Sequence, residues 1–241
     1  MSTIVYGKNA VRSSLLSKKA GTLYIALRLK NDSFTRELLS LSPKKVVYVS
    51  DAELKHLAKS DRNQGYCSSE EDYHPFTLNE ILTSAKEKPY PLLAMLDGIE
   101  DPHNLGAIIR SADAFGVDGI IIKSHGEVPV NGTVSKVSTG AIDYVKVATV
   151  TNLNQTLVTL KKAGYWIVSS DGKAKQDYDA IDYKCPICVV IGSEGFGVSR
   201  LVLENSDFLV KIPMCGHVNS LNASVAASIF FAEISRSRRY K

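Results

Sequence analysis

The 241-residue chain lacks three features that would narrow its class at once: a long apolar run, a cysteine framework and a strong charge of one sign. No apolar stretch approaches the roughly 18 residues that a membrane span requires. The opening MSTIVYGKNAVRSS holds no uninterrupted apolar core of the signal-peptide kind, so a soluble, cytoplasmic protein with no membrane role is expected. The four cysteines, Cys67, Cys185, Cys188 and Cys215, are too few and too scattered for a disulfide scaffold, which a cytosolic chain of this size does not need. Cys185-Pro-Ile-Cys188 has the spacing of a redox or zinc pair, but no second pair follows and His217 is the nearest histidine after it. Because Cys188 opens the apolar run CVVIG, the pair reads as structural and no metal is expected. There is also no internal repeat and no low-complexity segment.

The formal net charge is only +4, and it is unevenly placed. Residues 1–75 hold 12 Lys/Arg against 8 Asp/Glu, whereas the remainder holds 17 of each. The whole excess therefore lies in the first third, apart from a local basic cluster, RSRRYK, at the C-terminus. A modest basic bias on one domain is compatible with a polyanionic partner, though solvated lysine-rich faces are common.

Apolar periodicity predicts a small α/β unit at the start, with helices over 7–17, 33–41 and 51–59 and strands over 22–27 and 45–49. Ser50 or Asp51 caps the third helix. After a short helix at 77–86, the stretch KPYP (88–91) predicts a stiff break, because each proline holds its predecessor extended. The expected division is a domain at 1–75, a linker at 76–91 and a second domain at 92–241. The second domain opens on the strand-like PLLAML. Asp101 then caps a helix with Pro102 at its first position, and Gly116 suits its end. The strand GIIIK follows, and strand–helix–strand in about 30 residues implies a parallel sheet. Further strands are expected at 144–150, 165–170, 187–192 and 208–213, with helices at 152–163, 198–205 and 222–236.

Three stretches carry more polarity than packing asks for. In Asp101-Pro-His-Asn-Leu-Gly-Ala-Ile-Ile-Arg110, Asn104 and Arg110 are six residues apart and point about 120° away from each other on an ideal helix. They cannot pair tightly through the helix, although both can border one cleft. The stretch Val189-Val-Ile-Gly-Ser-Glu-Gly-Phe-Gly197 runs from a strand into glycines, but its G-x-x-G-x-G spacing departs from the dinucleotide fingerprint and it has no phosphate-cradling lysine. Glu194 would repel a phosphate there, so the loop suits a neutral or cationic ligand, or presents a carboxylate. In Asn219-Ser-Leu-Asn222, an extended backbone puts Ser220 and Asn222 on one side and Leu221 on the other. Asn222 is equally readable as a simple helix cap. The Ala223, Ser224, Ala226, Ala227 and Ser228 that follow make a thin helix surface suited to close packing, including between subunits.

Together, LDGIEDPHNLGAIIRSADAFG, VVIGSEGFGVSRL with LVKIPM, and VNSLNASVAASI resemble, in order and spacing, the three motifs of the SpoU/TrmH-type RNA ribose 2′-O-methyltransferases of the SPOUT superfamily. The likeness spans about residues 92–237. The first third also resembles the small ribosomal-protein-like RNA-binding domain of the rRNA-modifying members, through VYGKNAV and the Gln-Gly of NQG (63–65), where Asn63 replaces the usual histidine. The resemblance implies an α/β domain with a deep trefoil knot, which generic topology rules would argue against. It also implies a homodimer formed through the knot, S-adenosylmethionine as cofactor, and structured RNA as partner, with rRNA favoured over tRNA and a guanosine of large-subunit RNA as the target. Gly192, Ile212 and Leu221 match cofactor-contacting positions, with Thr139 and Met214 on neighbouring loops. Asn104, Arg110, Glu194, Ser220 and Asn222 match the polar catalytic set. The family casts its arginine as the base, but a guanidinium stays protonated. Arg110 is therefore expected to bind phosphate and polarise the 2′-hydroxyl, with Glu194 orienting it and the proton acceptor left open. A tRNA ribose methyltransferase, a base methyltransferase on the same scaffold, a non-catalytic RNA-binding protein and a nucleotide-dependent α/β enzyme are the competing readings.

Overall fold

The computed structural model describes residues 3–16, 20–70, 73 and 75–239. Ser17, at the end of the first expected helix, and Tyr240-Lys241 of the basic C-terminal cluster lie outside these residues. The chain separates into two compact units, Met1–His74 and Pro75–Lys241.

Among its described residues the first unit is a four-stranded mixed sheet with three α-helices. Strands β1 (Thr3–Tyr6), β2 (Ala20–Ala26), β3 (Lys45–Val49) and β4 (Tyr66–Glu70) lie in the order β1-β4-β2-β3. Only β2 and β3 run parallel. Helices α1 (Lys8–Leu16), α2 (Ser33–Ser40) and α3 (Asp51–Ala58) fall where periodicity puts them. Ser50 is the cap of α3, in a reciprocal capping box with Glu53. The two stretches of this unit that carry its resemblance meet: Lys8 N–H donates to Gln64 Oε1 at 2.9 Å. Asn63 holds the turn between them, accepting from Gly65 N–H at 2.8 Å and donating to the Ser60 carbonyl at 3.0 Å.

The second unit is a three-layer α/β/α sandwich on an all-parallel sheet. Its strands are β5 (Leu92–Asp97), β6 (Gly119–Lys123), β7 (Val147–Val150), β8 (Trp166–Ser170), β9 (Gln176–Asp177), β10 (Ile187–Gly192) and β11 (Phe208–Lys211). They lie in the order β7-β6-β5-β10-β8-β11-β9. Strands covered on both faces read as unbroken apolar runs, and β5 is buried at every position. One face packs Leu93, Met95, Ile121, Cys188 and Val190 against helices α4 (Leu78–Ala85), α7 (Leu153–Lys162) and α8 (Arg200–Glu204). By alternation, Ala94, Leu96, Ile120, Ile122, Val189 and Ile191 face the other side. That side carries α5 (Pro102–Phe115), α6 (Gly132–Val137) and α9 (Ala223–Arg239). Cys188 is fully buried, and burial holds its thiol far above the ordinary range, as an inert structural cysteine requires.

Residues 76–91 are not a linker. Phe76 bridges to Ala148 with its N–H donating to the Val147 carbonyl at 2.9 Å, and Ile81 of α4 is wholly buried in the core. The KPYP break is itself anchored, with Lys88 paired to the carboxylate of Asp118, which also accepts from Leu92 N–H at 2.8 Å.

The order of the sheet positions the site. The chain steps outward from β5 through β6 to β7, returns at β8, and then inserts β10 beside β5. Ligands of open parallel sheets lie beyond the strands' carboxyl ends, where the winding reverses. Here that place is between the ends of β5 and β10.

Candidate functional site

Asp97 and Gly192 end β5 and β10 as register partners. From Asp97 the chain turns through Gly98, at φ +85°, to Asp101, whose side chain accepts from His103 N–H at 2.8 Å and caps α5. Asn104 thus sits on the first turn of that helix. From Gly192 the chain makes a tight turn closed by a bridge between Ser193 and Gly197, which projects Glu194. The third segment comes from the far end of the sequence. After β11, residues 212–222 lead into α9 with Asn222 at its mouth, where Asn222 Oδ1 accepts from Ser224 N–H at 2.9 Å.

These segments converge. Asn104 Nδ2 donates to Glu194 Oε1 at 3.0 Å, Asn222 Nδ2 donates to Asn104 Oδ1 at 2.9 Å, and Asn222 Nδ2 also donates to Glu194. Asn222 is therefore both a helix cap and a site residue. The small residues after it serve packing within one chain: Ala223 and Ala227 are buried, and Ser228 Oγ lies 2.7 Å from Ser111 Oγ of α5.

Beside this cluster is a cleft of about 560 Å³. Gly192, Ile212, Met214, Ser220 and Leu221 line it, and Glu194 forms part of its wall. Five of the residues singled out in the sequence thus share one cavity with the carboxylate. Two others do not. Thr139, left-handed at φ 53°, is exposed beyond the end of α6 and does not line the cleft. Arg110 is exposed on α5 and does not line the cleft, and Glu194 takes the side-chain amides of Asn104 and Asn222 on Oε1.

Sequence reasoning missed two parts of the site. Ser170, Asp171 and Gly172 form a wall of the cleft where β8 ends. Their signal was a polar run directly after a parallel strand, at the sheet edge where ligands bind. The second part is a buried charge cluster supporting both loops. Asp97 Oδ2 accepts from Ser199 N–H at 2.8 Å, and Asp97 Oδ1 lies 3.2 Å from Lys123 Nζ. Glu127, whose side chain is fully buried, accepts from Gly98 N–H and Lys123 N–H, each at 2.8 Å.

Burial pushes the Glu127 carboxyl up to about 7, against the two N–H donors and Lys123, while Asp97 adds to the rise. The folded protein therefore takes up a proton that the unfolded chain, titrating near 4.5, releases. This stabilisation is complete below about pH 4.5 and is lost as pH rises to about 7. It amounts to on the order of 3 kcal/mol. Chemical denaturation at pH 5 and pH 8 is expected to show this fall in the parent, and a smaller one in Glu127→Gln. Equal pH slopes in the two proteins would contradict the assignment.

Residues 91–232 match the model of the SpoU rRNA Methylase family. The chain belongs to the SpoU rRNA methylase family. A provisionally named TrmH family tRNA/rRNA methyltransferase of Staphylococcus saprophyticus is 42% identical to it over 241 residues, covering 98% of this chain and 96% of the relative. A Bacillus subtilis protein of the same provisional name is 41% identical, covering 97% and 95%. Among solved structures, the SpoU methyltransferase AviRb from Streptomyces viridochromogenes, in complex with the cofactor AdoMet, superposes with a TM-score of 0.73 at 26% identity, covering 99% of this chain and 91% of that one. These matches place the protein among the TrmH/SpoU RNA methyltransferases and give its α/β domain the SPOUT fold.

Proposed function

We propose that this SpoU-family protein transfers a methyl group from S-adenosylmethionine to a ribose 2′-hydroxyl of structured RNA, with a guanosine of large-subunit rRNA as the target. The observation that carries the proposal is the hydrogen-bonded set Asn104, Glu194 and Asn222, drawn from three distant segments to the rim of a cofactor-sized cleft. The cleft suits this donor. Its volume lies in the range of small-molecule sites, about 300–1,000 Å³. Ile191, Ile212, Leu221 and Phe230 offer apolar walls for a base, and Asp171 and Glu194 offer negative charge to a cation. S-adenosylmethionine, when bound, supplies a methyl group already activated on a sulfonium sulfur.

The chain's own work is then alignment and handling of one proton. Alignment of two reactants can lower a barrier by several kcal/mol, and a positioned proton acceptor typically adds ~10²–10⁴-fold. Asn104 and Asn222 hold Glu194 in a fixed orientation, and Ser220 presents a hydroxyl beside it for the ribose. Arg110 supplies a permanent cation for the target phosphate and polarises the 2′-hydroxyl. On this reading the segment from 212 to α9 forms the family's trefoil knot, and two copies pair through it, so that RNA meets residues of both. The basic first unit binds rRNA, and the setting is cytoplasmic.

The test is a map of 2′-O-methyl sites in rRNA and tRNA from cells with and without the gene. Loss of one large-subunit site is the expected result. Loss of a tRNA site would move the substrate, loss of a base methyl would move the chemistry, and an unchanged map would leave a non-catalytic RNA-binding protein.

A further inference from the structure

A second, smaller hollow adjoins the cofactor cleft and is not used by the account above. It measures about 220 Å³ and is lined by Gly98, Ile99, Asn104, Glu194, Phe196 and Ala223. Glu194 and Ala223 belong to both cavities, so the hollow opens beside the cluster that would hold the ribose. Its apolar lining includes Ile99 and Ala223, 3% and 2% exposed. On its wall stands Phe196, 97% exposed.

A lone exposed aromatic is ordinary on a protein surface. Its position distinguishes this one. Phe196 rides on the turn closed by the Ser193–Gly197 bridge, and its N–H donates to Ser193 Oγ at 3.3 Å, so the backbone under the ring is held. Folding gains almost nothing from a phenyl ring left in water. A hollow of this size falls below the range for whole ligands and suits one flat ring system. Unpaired RNA is recognised in large part by stacking its splayed-out bases on aromatic side chains, a contact that tolerates any base because every base has a π-face.

We infer that the hollow between the Gly98–Glu100 loop and the Ser193–Gly197 turn receives the nucleobase of the target nucleotide, stacked on Phe196. This rests on the proposed RNA ribose methylation and adds the element that grips the base. With the base there, its ribose lies next to Asn104 and Glu194 and faces the cofactor cleft. Phe196 then contributes to capture of the RNA and leaves the methyl donor's site untouched.

The experiment uses the full-length protein, labelled S-adenosylmethionine and total rRNA from cells lacking the gene. Base–aromatic stacking lost to alanine lowers kcat/KM for RNA by roughly 5- to 150-fold in Phe196→Ala. Affinity for S-adenosylmethionine and the melting temperature stay at parental values, and Phe196→Tyr, which keeps the ring, restores most of the loss. Full RNA activity in Phe196→Ala would overturn the inference. So would a loss of S-adenosylmethionine affinity, or a shift from dimer to monomer showing that the ring covers a second copy of the chain. Failure of the parent protein to methylate this RNA would instead overturn the proposed function.

Discussion

A Gly192→Ala protein binds S-adenosylmethionine at least ten-fold more weakly than the parent and unfolds at lower denaturant concentration, by about 3 kcal/mol or more. The cause is steric and lies wholly in main chain. A Cβ on Gly192 would stand 2.0 Å from the carbonyl carbon of Gly197, 2.2 Å from Val198 N and 2.4 Å from the Gly197 oxygen. No side-chain rotation relieves this, so either the end of β10 must leave its register with β5 or the turn carrying Glu194 must open. Both changes deform the cleft and separate Glu194 from Asn104 and Asn222. Gly195 is the control within the same turn, since a Cβ there meets nothing within 4 Å and Gly195→Ala is expected to bind the donor normally. Calorimetric titration with the methyl donor and urea unfolding of the three proteins check this. Parental affinity and stability in Gly192→Ala would mean that the turn is not built as described.

Arg110→Ala loses RNA methylation by about 10³-fold while its affinity for S-adenosylmethionine stays within about twofold, the size of effect seen when a group acting on developing charge is removed. Arg110 is exposed on α5 and does not line the cleft, so its removal costs little stability and no donor contact. On the proposed function its part is toward RNA, where a guanidinium fork can hold a phosphate in a fixed orientation. Arg110→Lys keeps the charge without the fork and is expected to recover only part of the rate. Single-turnover kinetics with saturating donor separate these effects. A fall in donor affinity, or undiminished turnover, would show that Arg110 has been given the wrong role.

Much of the fold was legible because its elements are locally marked. The Asp101 cap, Pro102 and Gly116 bound α5, and the run LLAMLD has the pattern of a strand buried on both faces, as it is. Strands β1 and β4 escaped notice because they are short and, in YCSSE, polar; Ser68 is buried by pairing with distant strands, which no local pattern reveals. The stretch 76–91 read as a linker for a related reason. Its prolines mark a break, but Ile81 belongs to the core through contact with Gly119, where a Cβ would stand 2.6 Å from it. The site divides in the same way. The angle between Asn104 and Arg110 already showed that they would not pair, and Asn104 bonds to Glu194 and Asn222 instead. The meeting of Asn104, Glu194 and Asn222 was foreshadowed only by the resemblance, because it depends on β10 being inserted beside β5. The cluster of Asp97, Lys123 and Glu127 gave no signal, since three scattered charges look like any solvated surface until the loops above them are placed.

Incubation of the purified protein with rRNA from cells lacking the gene and with S-adenosylmethionine carrying a deuterated methyl group tests the central claim most directly. Complete nucleoside digestion followed by mass spectrometry is expected to return one nucleoside with the label on its ribose, absent from the Arg110→Ala reaction. Label found only on a base, or no label in RNA although the donor binds, would contradict the account.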